Sequence, residues 1–290
     1  MGVSGEFVTL EAVGKAMGLE EGDHLSQMAD VLERVHRLIR IRGIERSGQN
    51  QRTVCVFRHI LFQQLLHDGM QETERTRIHR RLGEALESLY GEERSGIALQ
   101  LARHFRKGNA REKAVEYLSV AVMQARDRSA YAECVRHSRE ARSLIDQLPE
   151  SASRDRLELE TVCFPGFLWF GGLIEPGELD GILDRTILLS TRFGEYTLLF
   201  WALSTRFTQY HLRGEQDAGR EVLEQIGNGV TRLGEPALTA QYHGWMALNT
   251  LNRGVPRKAI LHADTFLATY DPSRHEVILS PWLREPLPVY

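Results

Sequence analysis

The stretch CVFRHILFQQLL, Cys55 to Leu66, holds the best candidate for chemistry in the chain, the dipeptide Arg58-His59. Its first half alternates as a strand does, and its second half reads as an apolar helix. A histidine at such a joint can carry or give a proton near neutral pH, and its N–H can meet a phosphate. Other side chains of catalytic type do not converge. There is no GxxxxGK[ST] phosphate loop, HExxH, GxSxG elbow, paired CxxC or EF-hand loop. The 11 histidines show no metal-ligand spacing, and His59 and His67 lie two helical turns apart. His104, His137 and His211 read as packing or helix-surface residues. The glycines of GGLIEPGELDG, Gly171 to Gly181, follow no strand and read as an interhelical turn.

Composition bounds the partners. The 290 residues are 42% hydrophobic and 26% charged, enough for one large or two modest cores. A net charge of −3 supplies no overall field for nucleic acid or an anionic membrane. Cys55, Cys134 and Cys163 are an odd, sparse set, which implies reduced thiols rather than a disulfide framework. MGVSGEF has neither the basic flank nor the apolar core of a signal peptide. The most apolar stretch, 164–173, is too short and Gly-rich to span a bilayer. A soluble cytoplasmic protein with no membrane partner is expected.

The elements around the dipeptide follow from periodicity. The spacing of Leu10, Val13 and Met17 predicts a short helix over 9–17. Asp23 is placed as the N-cap of a helix over 24–35, with Leu25, Met28, Leu32 and Val35 on one stripe. Alternation over 38–44 and 52–57 around the polar tip 47–51 predicts a β-hairpin. Helix, helix, hairpin, helix is the order of a winged helix lacking its first helix. From residue 59 onward the chain reads as helical, over 59–68, 72–90, 95–106, 111–127, 130–147, 153–169, 178–193, 196–212, 216–233, 236–251 and 256–269. The helix over 153–169 is expected to kink or end early at Pro165. Lys107-Gly108, Arg213-Gly214 and Arg253-Gly254 put a cation and then a glycine at helix ends, which predicts left-handed C-caps.

This helical tract has an internal pattern. Leu101, Ala102 and Phe105, then Ala114, Leu118 and Ala121, match the spacing of small and large residues in a tetratricopeptide helix pair. Cys134, Ser138 and Ala141, followed by Pro149, repeat the second-helix spacing, and so do Ala259, Ala263 and Phe266 before Pro272. The alternative is a generic bundle with alanine at close contacts. The basic run ERTRIHRRLGEAL, Glu74 to Leu86, offers Arg75, Arg77, Arg80 and Arg81 to phosphates. Its apolar stripe of Ile78, Leu82 and Leu86 and its glutamates favour the solvated face of an amphipathic helix. The expected architecture is therefore mainly α: a partial winged helix with a β-hairpin over 1–69, a tetratricopeptide-like array of α-helical repeats over 70–270, and an irregular tail over 271–290.

FRHILFQQLL, RTRIHRRLGEALESLYG and ALQLARHFRKGNAREKAVEYLSVAVMQARDRSAYAECVRHSREARSLIDQLP resemble the region after the ATPase core of bacterial signal-transduction ATPases of the STAND type. These AAA-type regulators are fused to adenylate or guanylate cyclase domains or to DNA-binding domains. GEFVTLEAVGKAMGL resembles the segment after their first winged-helix helix, and TLNRGVPRKAILHADTFLATYDPSRH a later repeat. The resemblance implies a fragment without P-loop, cyclase domain or first winged-helix helix. It implies a non-catalytic regulatory, protein-interaction role, with no cofactor of its own and ATP or ADP held only by an absent ATPase core. The partners implied are a protein or small ligand on the helical array and that core in trans. In related switch ATPases a histidine at the end of the winged-helix strand touches the ADP phosphate, which gives His59, with Arg58 beside it, a nucleotide-sensing role. Ile60 stands where the family commonly has an acidic residue. The alternative is a transcriptional regulator using the winged helix directly. Against it, the expected recognition helix carries Asp30, Glu33 and few cations.

Overall fold

The computed structural model describes residues 7–19, 23–47, 50–162 and 173–271. Cys163, Pro165, the hairpin tip at 48–49 and the tail from Pro272 onward lie outside them. The described chain is mainly α-helical, with one small antiparallel sheet.

Alternating residues give the strands β2 (Ile39–Ser47) and β3 (Asn50–Phe57). A third strand, β1 (Phe7–Thr9), flanks β3, so the order is β1-β3-β2. The register pairs Ile39 with Phe57 and Ile41 with Cys55, and slips at a bulge between Ile41 and Gly43. Ile39, Ile41, Cys55 and Phe57 share the inner face, where Leu10 and Ala29 close a small core. Helix α1 (Leu10–Met17) leaves β1 directly, and its Glu11 carboxylate accepts the Thr53 N–H at 2.8 Å, tying helix to sheet.

The helix expected over 24–35 is not α-helical throughout. Helix α2 (Asp23–Asp30) widens into a π-turn over Val31–Val35. The extra residue in that turn rotates the stripe: Leu25 is buried, whereas Val35 is 70% exposed. The wider turn also brings the Glu33 carboxylate to the Ile41 N–H at 2.9 Å, where it steers the chain into β2.

Beyond β3 come α3 (Ile60–Asp68), α4 (Glu72–Tyr90), a 3-10 segment (Gly91–Ile97), α5 (Ala98–Lys107), α6 (Arg111–Asp127), α7 (Tyr131–Ile145) and α8 (Ala152–Thr161). Then follow α9 (Pro176–Phe193), α10 (Tyr196–Leu212), α11 (Gln216–Leu233), α12 (Pro236–Asn252) and α13 (Pro256–Thr269). The helix expected from residue 95 starts later, because Gly91 and Gly96 flank a stretch that closes only 3-10 turns. Helix α8 ends at Thr161, ahead of Pro165.

Two compact units form: Met1–Ala125 with Arg136–Leu157, and Arg126–Val135 with Glu158–Tyr290. Within the first unit α1 lies along α4, where Lys15 Nζ donates to Ser88 Oγ at 2.6 Å. Arg52 of β3 reinforces the same unit. Its side chain is buried, with the guanidinium 3.8 Å over the Tyr90 ring and Nη2 3.0 Å from Glu93. In the second unit, Phe200, Phe207, Leu223 and Ile226 centre a core, with Trp201 and Trp245 packed against it.

The glycine stops divide into two kinds. Gly214 and Gly254 both take φ 76°, as expected of left-handed residues at helix ends. Gly108 does not: its φ is −82°, and the left-handed position passes to Asn109 at 57°. A Cβ on Gly108 would lie 2.7 Å from the Arg80 backbone nitrogen, so this glycine serves the close approach of α5 to α4. Gly108→Ala is therefore expected to destabilise the first unit by about 1–3 kcal/mol through overpacking. Urea unfolding of the two proteins measures it, and an unchanged midpoint would refute the close approach.

Candidate functional site at the strand–helix junction

The Arg58-His59 dipeptide sits where β3 becomes α3. The Arg58 N–H donates to Leu38 O at 2.9 Å, and its Nε donates to Ile39 O at 3.0 Å, which pins Arg58 against the start of β2. His59 is extended, at φ −143° and ψ 137°, and is the N-cap of α3. Its Nδ1 accepts the Leu61 N–H at 3.2 Å. A nitrogen that accepts cannot carry the proton in a neutral ring, so in that state the proton sits on Nε2. His59 is exposed, which leaves the Nε2–H as a donor at the surface. The Phe62 ring meets the imidazole edge-on with centroids 6.3 Å apart.

Helix α3 itself is the unusual element. It has no buried residue, and Ile60, Leu61 and Leu65 are each more than half exposed, with Phe62 and Leu66 also at the surface. A nine-residue helix is marginal alone in water, and this one presents apolar side chains where polar ones would solvate it. Replacing the cap, His59→Ala, is expected to cost about 0.5–1 kcal/mol of α3 stability, while His59→Asn keeps it. Amide hydrogen exchange of Leu61 to Leu66 reads that difference, and equal protection in both variants would exclude the cap.

The repeat-spaced residues are placed in the interior. Leu101, Ala102, Phe105, Ala114, Leu118, Ala121, Cys134, Ser138, Ala141 and Ala259 are buried, and Ala263 and Phe266 half-buried. Burial pushes the Cys55 thiol up to about 11, with the Glu11 and Glu33 carboxylates adding to it. Burial raises the Cys134 thiol as well. Neither sulfur is poised as a nucleophile.

Two histidine pairs escaped the sequence reading. His79 of α4 and His104 of α5 bring their Nδ1 atoms to 3.0 Å, with both residues buried. His104 is therefore an interior residue, never a helix-surface one. His243 of α12 and His262 of α13 repeat the 3.0 Å contact in a half-buried setting. Each contact requires one ring to donate from Nδ1 and the other to accept there. The partners lie 25 and 19 residues apart, spacings that no local motif encodes. His137 is buried beside Arg136, and His211 stacks on Phe207. Among the described residues no group of three or more His, Cys, Asp or Glu side chains could hold a metal ion. No helix among them is long and apolar enough to cross a membrane.

No protein-family model, curated protein or solved structure matches the chain.

Proposed function

We propose that this chain is a non-catalytic regulatory and protein-interaction module of a multidomain signal-transduction ATPase of the STAND type. In this reading the sheet and its flanking helices are the remnant of a winged helix, and the helices from α4 onward are tetratricopeptide-like pairs. The observation that carries it is α3: a short apolar helix with no buried residue, led by an exposed histidine whose Nδ1 caps it. Such a helix is a surface awaiting a cover, and the donor at its head suits a phosphate oxygen. ATP or ADP would be held by the ATPase core, and His59 would report the bound diphosphate to the helix pairs.

The alternative use of α2 and its π-turn as a DNA-reading element gains no support. The Arg34 guanidinium lies 3.6 Å from Asp30, and Glu33 is engaged by the Ile41 N–H. The test is nucleotide affinity in a fusion of this chain to a P-loop core of the family. His59→Ala is expected to weaken ADP about tenfold while leaving ATP within twofold, a difference of ~1.4 kcal/mol. Equal affinities in the parent and the variant would end the sensing role. A salt-dependent shift of duplex DNA by the purified chain would restore the DNA reading.

A further inference from the structure

The groove between α1 and α4 carries an inference that stands apart from the ATPase reading. Two adjoining hollows, about 390 and 280 Å³, share Ala16, Met17 and Arg81 and so form one furrow open to solvent. Along α4 it runs from Arg77 to Ala85, two helical turns or about 12 Å. Its floor is apolar or small, with Val13 and Ala16 from α1 and Ile78 and Leu82 from α4. Met17 stands on its lip at 59% exposure, a large thioether with little cover.

The rim is cationic. Arg77 and Arg81 are exposed one turn apart and have no partner among the described residues. Lys15 at the other edge donates to the Ser88 hydroxyl. The carboxylate on the rim, Glu84, is engaged by Arg80 at 3.3 Å. An apolar furrow two turns long, open on one side, matches one face of a helix. It cannot wrap a flexible acyl chain. Two unpaired guanidiniums at i, i+4 match two carboxylates at the same spacing on an incoming helix.

We propose that the α1–α4 groove docks an amphipathic helix of a partner protein whose apolar face is edged by glutamates or aspartates one turn apart. The apolar anchors of that helix fill the furrow beside Met17 and Ile78, and its carboxylates meet Arg77 and Arg81. Ala16, Gly18 and Ala85 leave room for its backbone.

The test uses the full chain and two labelled peptides, read by fluorescence anisotropy. Both are amphipathic helices with leucines on one face; one has glutamates spaced i, i+4 along the edge, the other lysines. The acidic peptide is expected to bind at least about tenfold more tightly and to weaken with salt. Arg77→Glu with Arg81→Glu should invert the preference. Met17→Asp should weaken the acidic peptide about tenfold without creating a preference for the basic one. These positions are exposed, so circular dichroism and the unfolding midpoint should match the parent. Equal affinity for the two peptides, no binding of either, or acidic-peptide binding unchanged in the double variant would overturn the proposal.

Discussion

The first unit is expected to lose about 3 kcal/mol of stability between pH 6.5 and pH 4, and His79 accounts for the loss. Burial holds its imidazole down from the ordinary 6.5 to about 4, with Lys107, Arg103, His67 and Arg75 adding like-charge pressure. Below pH 6.5 the unfolded chain takes up a proton that the folded unit refuses until pH 4. The unfolded state therefore gains steadily over that window, at ~1.4 kcal/mol per pH unit per group. Above pH 6.5 both states hold a neutral ring, and the full stability is present. The geometry explains the refusal. His79 is 2% exposed and faces His104, which leaves a charged ring no water. Urea unfolding at pH 7 and pH 4 checks the size of the effect, and the His79 ring proton shift in NMR checks its owner. His79→Phe should flatten the pH dependence while lowering stability at pH 7, because it takes the Nδ1 partner from His104. An unchanged slope in that variant would assign the acid response elsewhere. Burial also lowers His243 and His262 in the second unit, so its stability falls in the same direction as pH drops below 6.5.

That buried pair also shows where sequence reading stops. The helical tract, the hairpin and the junction at Arg58-His59 were legible because each follows from a local period or a local stop. The inner face of Ile39, Ile41, Cys55 and Phe57 obeys the alternation that predicted it. What was not legible depends on partners distant in the chain. β1 has three residues, too few for alternation to register, and exists because β3 offers it an edge. The π-turn at Val31–Val35 goes with Glu33 meeting the Ile41 N–H of β2, so a stripe drawn at 3.6 residues per turn fails at Val35. Gly108 carries the sequence mark of a helix stop, yet its backbone is ordinary and its missing side chain is what matters to Arg80. The α1–α4 groove is a further case. Arg77, Arg80 and Arg81 of the basic run lie on a solvated face and Arg75 is half-buried, but only the fold sets Arg77 and Arg81 beside an apolar furrow from α1.

Phe105→Ala should be the costliest single substitution in the first unit, at about 3–5 kcal/mol. Phe105 is fully buried, stacks on Tyr117 with ring planes 7° apart, and has the Lys113 ammonium 4.9 Å from its centroid. The same cluster engages Glu87, which accepts from Lys113 at 2.5 Å and from the Tyr117 hydroxyl at 2.6 Å. Burial pushes the Glu87 carboxyl up, but those two hydrogen bonds outweigh it and hold it below its ordinary range. Across the helix pair, Gly83 gives the ring its seat: a Cβ there would stand 3.1–3.3 Å from the Phe105 ring carbons. Gly83→Ala alone should therefore cost about 1 kcal/mol or more by overpacking, against the helix-propensity gain of about 1 kcal/mol that alanine brings. With the ring removed the obstruction is gone and only the gain remains. Gly83→Ala should then stabilise the Phe105→Ala background, with a coupling of about 1–2 kcal/mol. Urea unfolding of the four proteins at pH 7 closes the cycle. If Gly83→Ala has the same effect in both backgrounds, the ring and the glycine do not determine each other, and the seating of α4 on α5 must be assigned to other contacts.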